Sequence, residues 1–168
     1  MKKIINLIVA VLLIQIITGC GVYNFTGTGK IDADSFQVSY FQNIAEIIEP
    51  GIERTFTIAL QDIIQNQTSL TLTDSNPDLL YEGEIVDYRV APMTATADQN
   101  AAQNRLTITV LVRFTNFKDE KLSFEKRFSH YYDYAGQELL VGSQLTQALE
   151  AIYERITQDI FNASLANW

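Results

Sequence analysis

Cysteine and histidine are nearly missing from this sequence. Its 168 residues contain one cysteine, Cys20, and one histidine, His130. A single cysteine has no internal disulfide partner. A zinc site needs several histidine or cysteine ligands, so that class of metalloprotein is excluded as well. The sequence therefore predicts a fold held together by its hydrophobic core, with no metal and no cofactor.

Basic residues are also scarce. The chain has 12 Lys and Arg residues against 20 Asp and Glu residues, a formal net charge of −8. Cleavage before Cys20 would remove Lys2 and Lys3 and leave 10 basic residues against 20 acidic ones, a net charge of −10. Nucleic-acid-binding proteins meet the phosphate backbone with clustered Lys and Arg, so this function is excluded. The same negative field repels an anionic lipid surface, so a membrane anchor here has to be an acyl chain.

A long apolar run is missing too. The segment 4–17 is interrupted by Asn6 and Gln15, and it is shorter than the ~20 residues that a transmembrane helix needs. It follows two lysines and ends in Ile-Thr-Gly-Cys, with the cysteine at position 20. This order is typical of a bacterial lipoprotein signal peptide with Cys20 as the first mature residue. We predict two or three acyl chains on Cys20, palmitate among them, and each CH₂ in the bilayer contributes about 0.8 kcal/mol.

The chain divides into a signal peptide, a tether and one domain. Residues 1–19 form the predicted signal peptide. Residues 20–34 form a lipidated tether, since they are rich in Gly, Thr and Asn without a sustained period. Residues 35–168 form a single α+β domain, long enough to bury a core. The residue after Cys20 is Gly21 and not an aspartate, which would favour retention in the inner membrane. We therefore expect the protein at the outer membrane, lipid-anchored on the periplasmic side.

Hydrophobic periodicity predicts two helices and four to five strands. A β-α-β-β-β-β-α order makes a two-layer α+β sandwich, with both helices on one face of a mixed, mostly antiparallel sheet. The first two strands should be parallel, and a switch of alternation near Ile85 and Val86 indicates a β-bulge. The predicted elements are a strand at 36–40, a helix at 50–65, strands at 70–72, 80–91, 106–115 and 122–132, and a helix at 143–161 capped by Ser143.

A long loop between two of these strands carries the strongest candidate for ligand binding. Residues 92–104 contain no large apolar residue except Met93, which predicts an exposed hairpin loop. Arg89 precedes this loop and Arg105 closes it. Two guanidinium groups there could bind a phosphorylated glycolipid head group through bidentate hydrogen bonds. The alternative is ordinary ion pairing with Asp87 or Asp98.

Catalytic candidates are few. His130 could be the base of a hydrolytic triad, but no Gly-x-Ser-x-Gly elbow is present and Ser143 is better explained as a helix cap. Glu82 and Glu84 lie two apart on one predicted strand, so both face the same side and could act as an acid and a base. The alternative is a charged sheet face that repels strand pairing. We predict that the protein is not an enzyme.

Several separate stretches, spread along the mature chain, carry a resemblance to a known family. They are Cys20–Gly27, Gln42-Asn43, Glu82–Ile85 with Tyr88, Asn104–Val110, Asp159–Asn162 and Asn167-Trp168. Together they resemble the Bacteroidetes branch of the lipopolysaccharide-assembly lipoprotein family LptE. The resemblance implies a non-catalytic outer-membrane lipoprotein with a two-layer α/β fold. It also implies a large outer-membrane β-barrel partner that the lipoprotein plugs and helps to assemble, and direct contact with lipopolysaccharide.

Three functional hypotheses follow. The first is an interaction protein that plugs the barrel and supports lipopolysaccharide insertion into the outer leaflet, and the Thr-rich face of strand 106–115 fits a hydrated lumen. The second is a free-standing periplasmic lipoprotein that binds a lipid or another small ligand in an enclosed apolar pocket. The third is a periplasmic hydrolase, which only His130 and the Glu82 and Glu84 pair could support.

Overall fold

The computed structural model describes residues 32–93, 103–136 and 139–166. Cys20, the signal peptide, most of the predicted tether and Trp168 therefore lie outside the described residues. The elements in chain order are β1 (Ser35–Val38), β2 (Gln42–Asn43), α1 (Ile52–Gln67), β3 (Thr71–Leu72), β4 (Leu79–Met93), β5 (Gln103–Asn116), a 3₁₀ turn (Glu120–Leu122), β6 (Phe124–Ala135) and α2 (Gly142–Leu165).

The strands form one mixed sheet in the order β3-β1-β4-β5-β6, and β2 also pairs with β4. β1 is parallel to both β3 and β4, while β4, β5 and β6 form an antiparallel meander. The predicted α+β class and the parallel pairing of the first two strands are confirmed. The sheet has six strands where four to five were predicted. β2 accounts for the difference, because two residues opposite Glu84 and Ile85 are too short to produce an alternating pattern.

Both helices pack on one face of the sheet through their apolar stripes. In α1, a spacing of four residues brings Phe56, Leu60 and Ile64 onto one side, and all three are fully buried. In α2 the same spacing buries Ile152 and Ile156 completely. Burying one such side chain contributes roughly 1.5–3 kcal/mol. The core between helices and sheet is therefore the main source of stability, as the absence of disulfide partners requires.

The helix starts differ from the prediction. The backbone at Gly51 has φ +87°, a conformation that favours glycine, and α1 begins only after it, so Pro50 lies before the first helical turn. At α2 the predicted cap at Ser143 is wrong. Val141 is extended and occupies the N-cap position, the helix begins at Gly142, and no side chain caps it. Ser143 therefore lies inside the first turn.

The hairpin of β4 and β5 is longer than predicted. The register shifts between Ile85 and Asp87, which confirms the predicted bulge. β4 continues through Pro92 to Met93 and β5 begins at Gln103. Residues 94–102 of the predicted loop lie outside the described residues. A proline is tolerated here because β2 pairs with β4 no further than Ile85, and the side of Pro92 away from β5 has no strand among the described residues.

Strand alternation gives the meander two different faces. One face packs on the helices and contributes buried residues such as Tyr81 and Ile108. The other face is not covered by a helix among the described residues, and its side chains are half-buried or exposed. We call it the helix-free face. Its main residues are Glu82, Glu84, Asp87 and Arg89 of β4, Arg105, Thr107, Thr109 and Arg113 of β5, and Glu125, Arg127, Ser129, Tyr131 and Asp133 of β6.

Candidate functional site

Arg105 is held firmly on the helix-free face. Its Nε donates to Asp133 Oδ1 at 2.6 Å and its Nη2 donates to Asp133 Oδ2 at 2.7 Å. The guanidinium carbon lies 3.6 Å from the centroid of the Tyr131 ring, a cation–π contact. The hydrogen bonds between the two side chains raise the pKa of Arg105 and lower the pKa of Asp133. Both ends of the guanidinium fork are thus engaged, and Asp133 takes the role that Asp87 or Asp98 was predicted to take.

Arg89 lies beside Arg105 but is much less engaged. It pairs in register with Thr107, two residues along β5 from Arg105. The distance from Arg89 Nη2 to Asp87 Oδ2 is 4.0 Å, and 65% of the Arg89 side chain is exposed. The predicted pairing with Asp87 is therefore present but weak, since exposed pairs at this separation contribute little. Of these two arginines, Arg89 is the one that the described residues leave available to an external anion.

The carboxylate pair Glu82 and Glu84 serves an ion cluster on the same face. Arg113 donates to Glu84 Oε1 at 2.8 Å and to Glu84 Oε2 at 3.4 Å. Glu82 lies directly opposite Arg113 on β4, and Glu125 lies opposite it on β6. The bond to Glu84, together with the charges of Glu125 and Glu82, raises the pKa of Arg113. This geometry fits the alternative given for Glu82 and Glu84, a charged sheet face, and not an acid and base pair.

Hydroxyl groups fill the middle of the helix-free face. Thr109 Oγ1 donates to Ser129 Oγ at 2.9 Å, and Ser129 Oγ lies 3.3 Å from the carbonyl oxygen of Ile108. Ion pairs flank these hydroxyls at both ends of the strands. Such a face offers donors and acceptors to water or to a polar partner. Leu80 and Leu111 are half-buried between these polar side chains. Its chemistry suits a hydrated protein surface.

His130 points to the other face, toward α2. Its Nε2 lies 2.7 Å from Asp159 Oδ2. The two residues line a groove of about 280 Å³ together with Glu154, Arg155 and Gln158. The residues around this histidine carry carboxylate, guanidinium and amide groups, so His130 joins the edge strand β6 to α2 and does not contact a hydroxyl nucleophile in this groove.

One exposed feature was not predicted from the sequence. The segment Ile44–Ile48, which we call the isoleucine loop, presents Ile44, Ile47 and Ile48 at 58%, 52% and 67% exposure. Asn43 fixes this loop: its Oδ1 accepts from the backbone N–H of Ala45 at 3.2 Å and its Nδ2 donates to the carbonyl of Glu49 at 3.4 Å. Ile44, Ile47 and Ile48 stand three and four positions apart, the spacing of a helical stripe, in a segment that forms no helix.

Within residues 32–93, 103–136 and 139–166, no group of three His, Cys, Asp or Glu residues is placed to hold a metal ion. None of the helices in this described part is long and apolar enough to cross a membrane.

Residues 33–164 match the family described as LptE, lipopolysaccharide-assembly. No curated protein matches the sequence. Solved structures with a similar chain path include the hypothetical protein CT253 from Chlamydia trachomatis, at 12% identity over 80% of this chain and 99% of that chain, with a TM-score of 0.47. Rare lipoprotein B from Shewanella oneidensis is 12% identical over 76% of this chain and 89% of that chain, with a TM-score of 0.45. A minor lipoprotein from Acinetobacter baumannii is 12% identical over 79% of this chain and 90% of that chain, with a TM-score of 0.43. The family match spans all the elements of the fold and the whole helix-free face.

Proposed function

The chain belongs to the lipopolysaccharide-assembly family LptE, and on this premise we propose that it is an outer-membrane lipoprotein that plugs a large β-barrel protein. In this role it supports assembly of the barrel and the insertion of lipopolysaccharide into the outer leaflet. Cys20 carries the acyl chains that hold it on the periplasmic side of the membrane.

The helix-free face is the observation that carries this proposal. Three Arg–carboxylate pairs and the bonded hydroxyls of Thr109 and Ser129 cover a sheet face on which no described helix packs. The lumen of a large barrel is polar and hydrated. A plug in such a lumen needs hydrogen-bonded polar groups on its contact surface. A polar group that loses its water and gains no partner makes binding less favourable. The face supports contact with a barrel wall better than contact with lipid.

The isoleucine loop supports a second, apolar contact with the same partner. Ile44 and Ile48 are exposed on a loop that Asn43 holds in place, and a fixed apolar loop loses little conformational entropy when it is buried. We assign to Arg89 the role of glycolipid ligand, with Arg105 beside it, because Arg89 has the exposed guanidinium group. A lipid phosphate is the anion that such a group recognises.

The test is an affinity pull-down of the full-length, acylated protein from detergent-solubilised outer membrane, with the captured proteins identified by mass spectrometry. We expect a large β-barrel protein in a 1:1 ratio. A Thr109→Trp variant, which places a bulky ring on the helix-free face, should lose the barrel. Asn66→Trp is the matched control, because Asn66 is exposed on α1 and far from that face.

Two outcomes would overturn the proposal. One is a protein that remains monomeric under these conditions and carries a saturable lipid, which would indicate the free-standing lipid-binding lipoprotein. The other is a depleted strain in which the barrel protein and surface lipopolysaccharide both stay at normal levels.

A further inference from the structure

The two edges of the sheet are protected to different degrees. At one edge, β3 contributes only the two residues Thr71 and Leu72. At the other edge, all twelve residues of β6 pair with β5 in one unbroken register, from Gln103 opposite Ala135 to Phe114 opposite Phe124. Among the described residues no strand lies on the far side of β6. The sheet therefore ends in one short edge and one long, regular edge.

The β6 edge lacks most of the features that keep edges from pairing. Short length, proline, bulges and charged side chains are the usual devices. β6 has no proline and no register shift, and its charged side chains are the one device it carries. In an antiparallel pair, alternate residues direct their N–H and C=O groups away from the partner strand. About half of the β6 residues therefore present free backbone groups along a straight line, which is a template for one more strand.

Unpaired cations gather at this same edge. Arg105, Arg113, Lys118 and Arg89 each lie within ion-pair distance of a carboxylate. Five other cations of the described part have no carboxylate partner there. They are Arg54, Lys121, Lys126, Arg127 and Arg155, and the last three line the two grooves between β6 and α2.

The carboxylates near these cations are mostly engaged elsewhere. Asp159, which lines both grooves, is bonded to His130, and Glu84 is bonded to Arg113. The charge of Glu125 raises the pKa of Arg113. Glu154 is exposed where it lines the groove beside His130. In a chain with a net charge of −8, a concentration of free positive charge at an open sheet edge is complementary to an acidic partner.

We propose that β6 is a β-augmentation site for an extended, acidic segment of a partner protein. The segment adds to the sheet as a further strand, and backbone hydrogen bonds to β6 supply much of the affinity. Lys126 and Arg127 are adjacent and so project to opposite faces of the sheet. A partner strand meets both with two consecutive acidic residues. Tyr131, 52% exposed on the helix-free face, then faces an apolar partner residue farther along.

This inference is independent of the proposed function, since it specifies the chemistry of the partner segment and not the protein that carries it. An anionic lipid would satisfy the charges of Lys126 and Arg127, but it has no backbone to pair with the free groups of β6. A second copy of this chain would bring Lys126 and Arg127 a strand with only two carboxylates, and one of them, that of Asp133, is already bonded to Arg105. The peptide segment is the occupant that satisfies both the charge and the hydrogen-bonding groups.

The test is in-cell photo-crosslinking of the full-length, acylated protein with p-benzoylphenylalanine placed in turn at Glu125, Ser129 and Tyr131. We expect adducts at successive positions to map to successive residues of one acidic partner segment. Reversing one charge, with either Lys126→Glu or Arg127→Glu made singly, should lower adduct yield at Ser129 and Tyr131 about tenfold, corresponding to about 1.4 kcal/mol. Arg54→Glu is the matched control, because it makes the same charge change on α1, and its yield should stay within about twofold.

Other results would overturn the inference. They are adducts to lipopolysaccharide, adducts to a second copy of this chain, adducts without a fixed register, no adducts at any of the three positions, or yields that the charge reversal does not change. Circular dichroism of the variants separates loss of the partner from loss of the fold. A barrel protein captured in the pull-down, with adducts from these positions that map to the barrel wall without a fixed strand register, would leave the proposed function in place and reject this site.

Discussion

Arg105 and Asp133 form a two-pronged ion pair across β5 and β6, with N–O distances of 2.6 and 2.7 Å. The pair fixes the guanidinium group above Tyr131 and joins the last two strands of the sheet. Because the hydrogen bonds from Arg105 favour the charged carboxylate, the pKa of Asp133 lies below its ordinary value of 3.8. This link makes part of the protein's stability dependent on pH.

The first prediction concerns acid stability. Since the folded pKa of Asp133 is depressed, its stabilising effect is complete well above pH 3.8 and disappears as the pH falls through the folded pKa. Asp133→Asn should therefore have a lower Tm than the parent protein at pH 7, and the difference should close below pH 3.8. Thermal melts from pH 2 to pH 7 measure this. Asp74→Asn, in an exposed turn, should show no such trend, and a constant difference for Asp133→Asn would contradict the assignment.

The second prediction concerns Gly83, in the middle of β4. A Cβ atom at this position would collide with the carbonyl oxygen of Leu111 and with the ring of Phe41. Neither the neighbouring strand nor the fully buried Phe41 can move freely, so Gly83→Ala should cost about 3 kcal/mol by overpacking. Urea unfolding gives the free energy. Thr107→Ala, on the helix-free face, should change it by less than about 0.5 kcal/mol, and equal effects of the two variants would rule out the steric explanation.

The third prediction concerns a buried hydrogen bond between sheet and helix. Tyr81 donates from its hydroxyl to Ser164 Oγ at 2.9 Å, and Ser164 donates to the carbonyl of Ile160 at 2.8 Å. Ser164→Ala leaves the Tyr81 hydroxyl buried without this acceptor, so it should cost about 1–3 kcal/mol, and Tyr81→Phe about 1 kcal/mol. A double-mutant cycle should show a coupling of about 1 kcal/mol. Strict additivity would show that the bond contributes nothing.

The fourth prediction concerns the point where the tether meets the domain. Asp78 Oδ2 accepts from the backbone N–H of Asp34 at 2.8 Å and of Ser35 at 3.3 Å, while Lys118 lies 3.1 Å from Oδ1. Asp78→Ala should free the start of β1, and hydrogen exchange at residues 34–37 should become faster. Asp74→Ala, in the same turn, should leave this exchange unchanged. Faster exchange in both variants would point to a general loss of stability.

The fifth prediction separates the two arginines at the hairpin end. Arg89 is largely exposed, whereas Arg105 is engaged by Asp133. Arg89→Ala should weaken binding to lipopolysaccharide-containing vesicles about fivefold, the loss expected for one charge-assisted contact. Arg105→Ala should weaken it less and lower the Tm. Arg54→Ala, a cation on α1, serves as the control, and equal affinity for all three variants would remove the glycolipid role from this site.

The sequence predicted the features that depend on local pattern. The stripe through Phe56, Leu60 and Ile64 specified a helix and its buried side, and the alternation from Leu106 to Phe114 specified the central strand β5. The bulge after Ile85 was visible as a switch of alternation. The two-residue strand β2 was not predicted and the cap of α2 was wrongly placed at Ser143, since neither depends on a repeated pattern.

The candidate site was only partly predictable. Arg89, Arg105, Glu82 and Glu84 were identified as unusual, but their partners come from strand register. A hairpin turning at Asp119 places Arg105 opposite Asp133, because the two are equally far from the turn. That relation could have been read from the sequence once the turn was fixed. The diagonal bond of Arg113 to Glu84 could not, because it depends on the twist of the sheet and on side-chain rotamers.

The sequence by itself determined the α+β class and the buried faces of both helices, and it predicted the acylation of Cys20 and the lack of a nucleic-acid partner. These follow from composition and from the periods of 3.6 and 2 residues, which are local properties of the backbone. Only the tertiary structure decided which cations are free, which sheet edge is open and that Asn43 holds an exposed isoleucine loop. Those features arise from residues far apart in the chain, and their positions are fixed only when the core has packed.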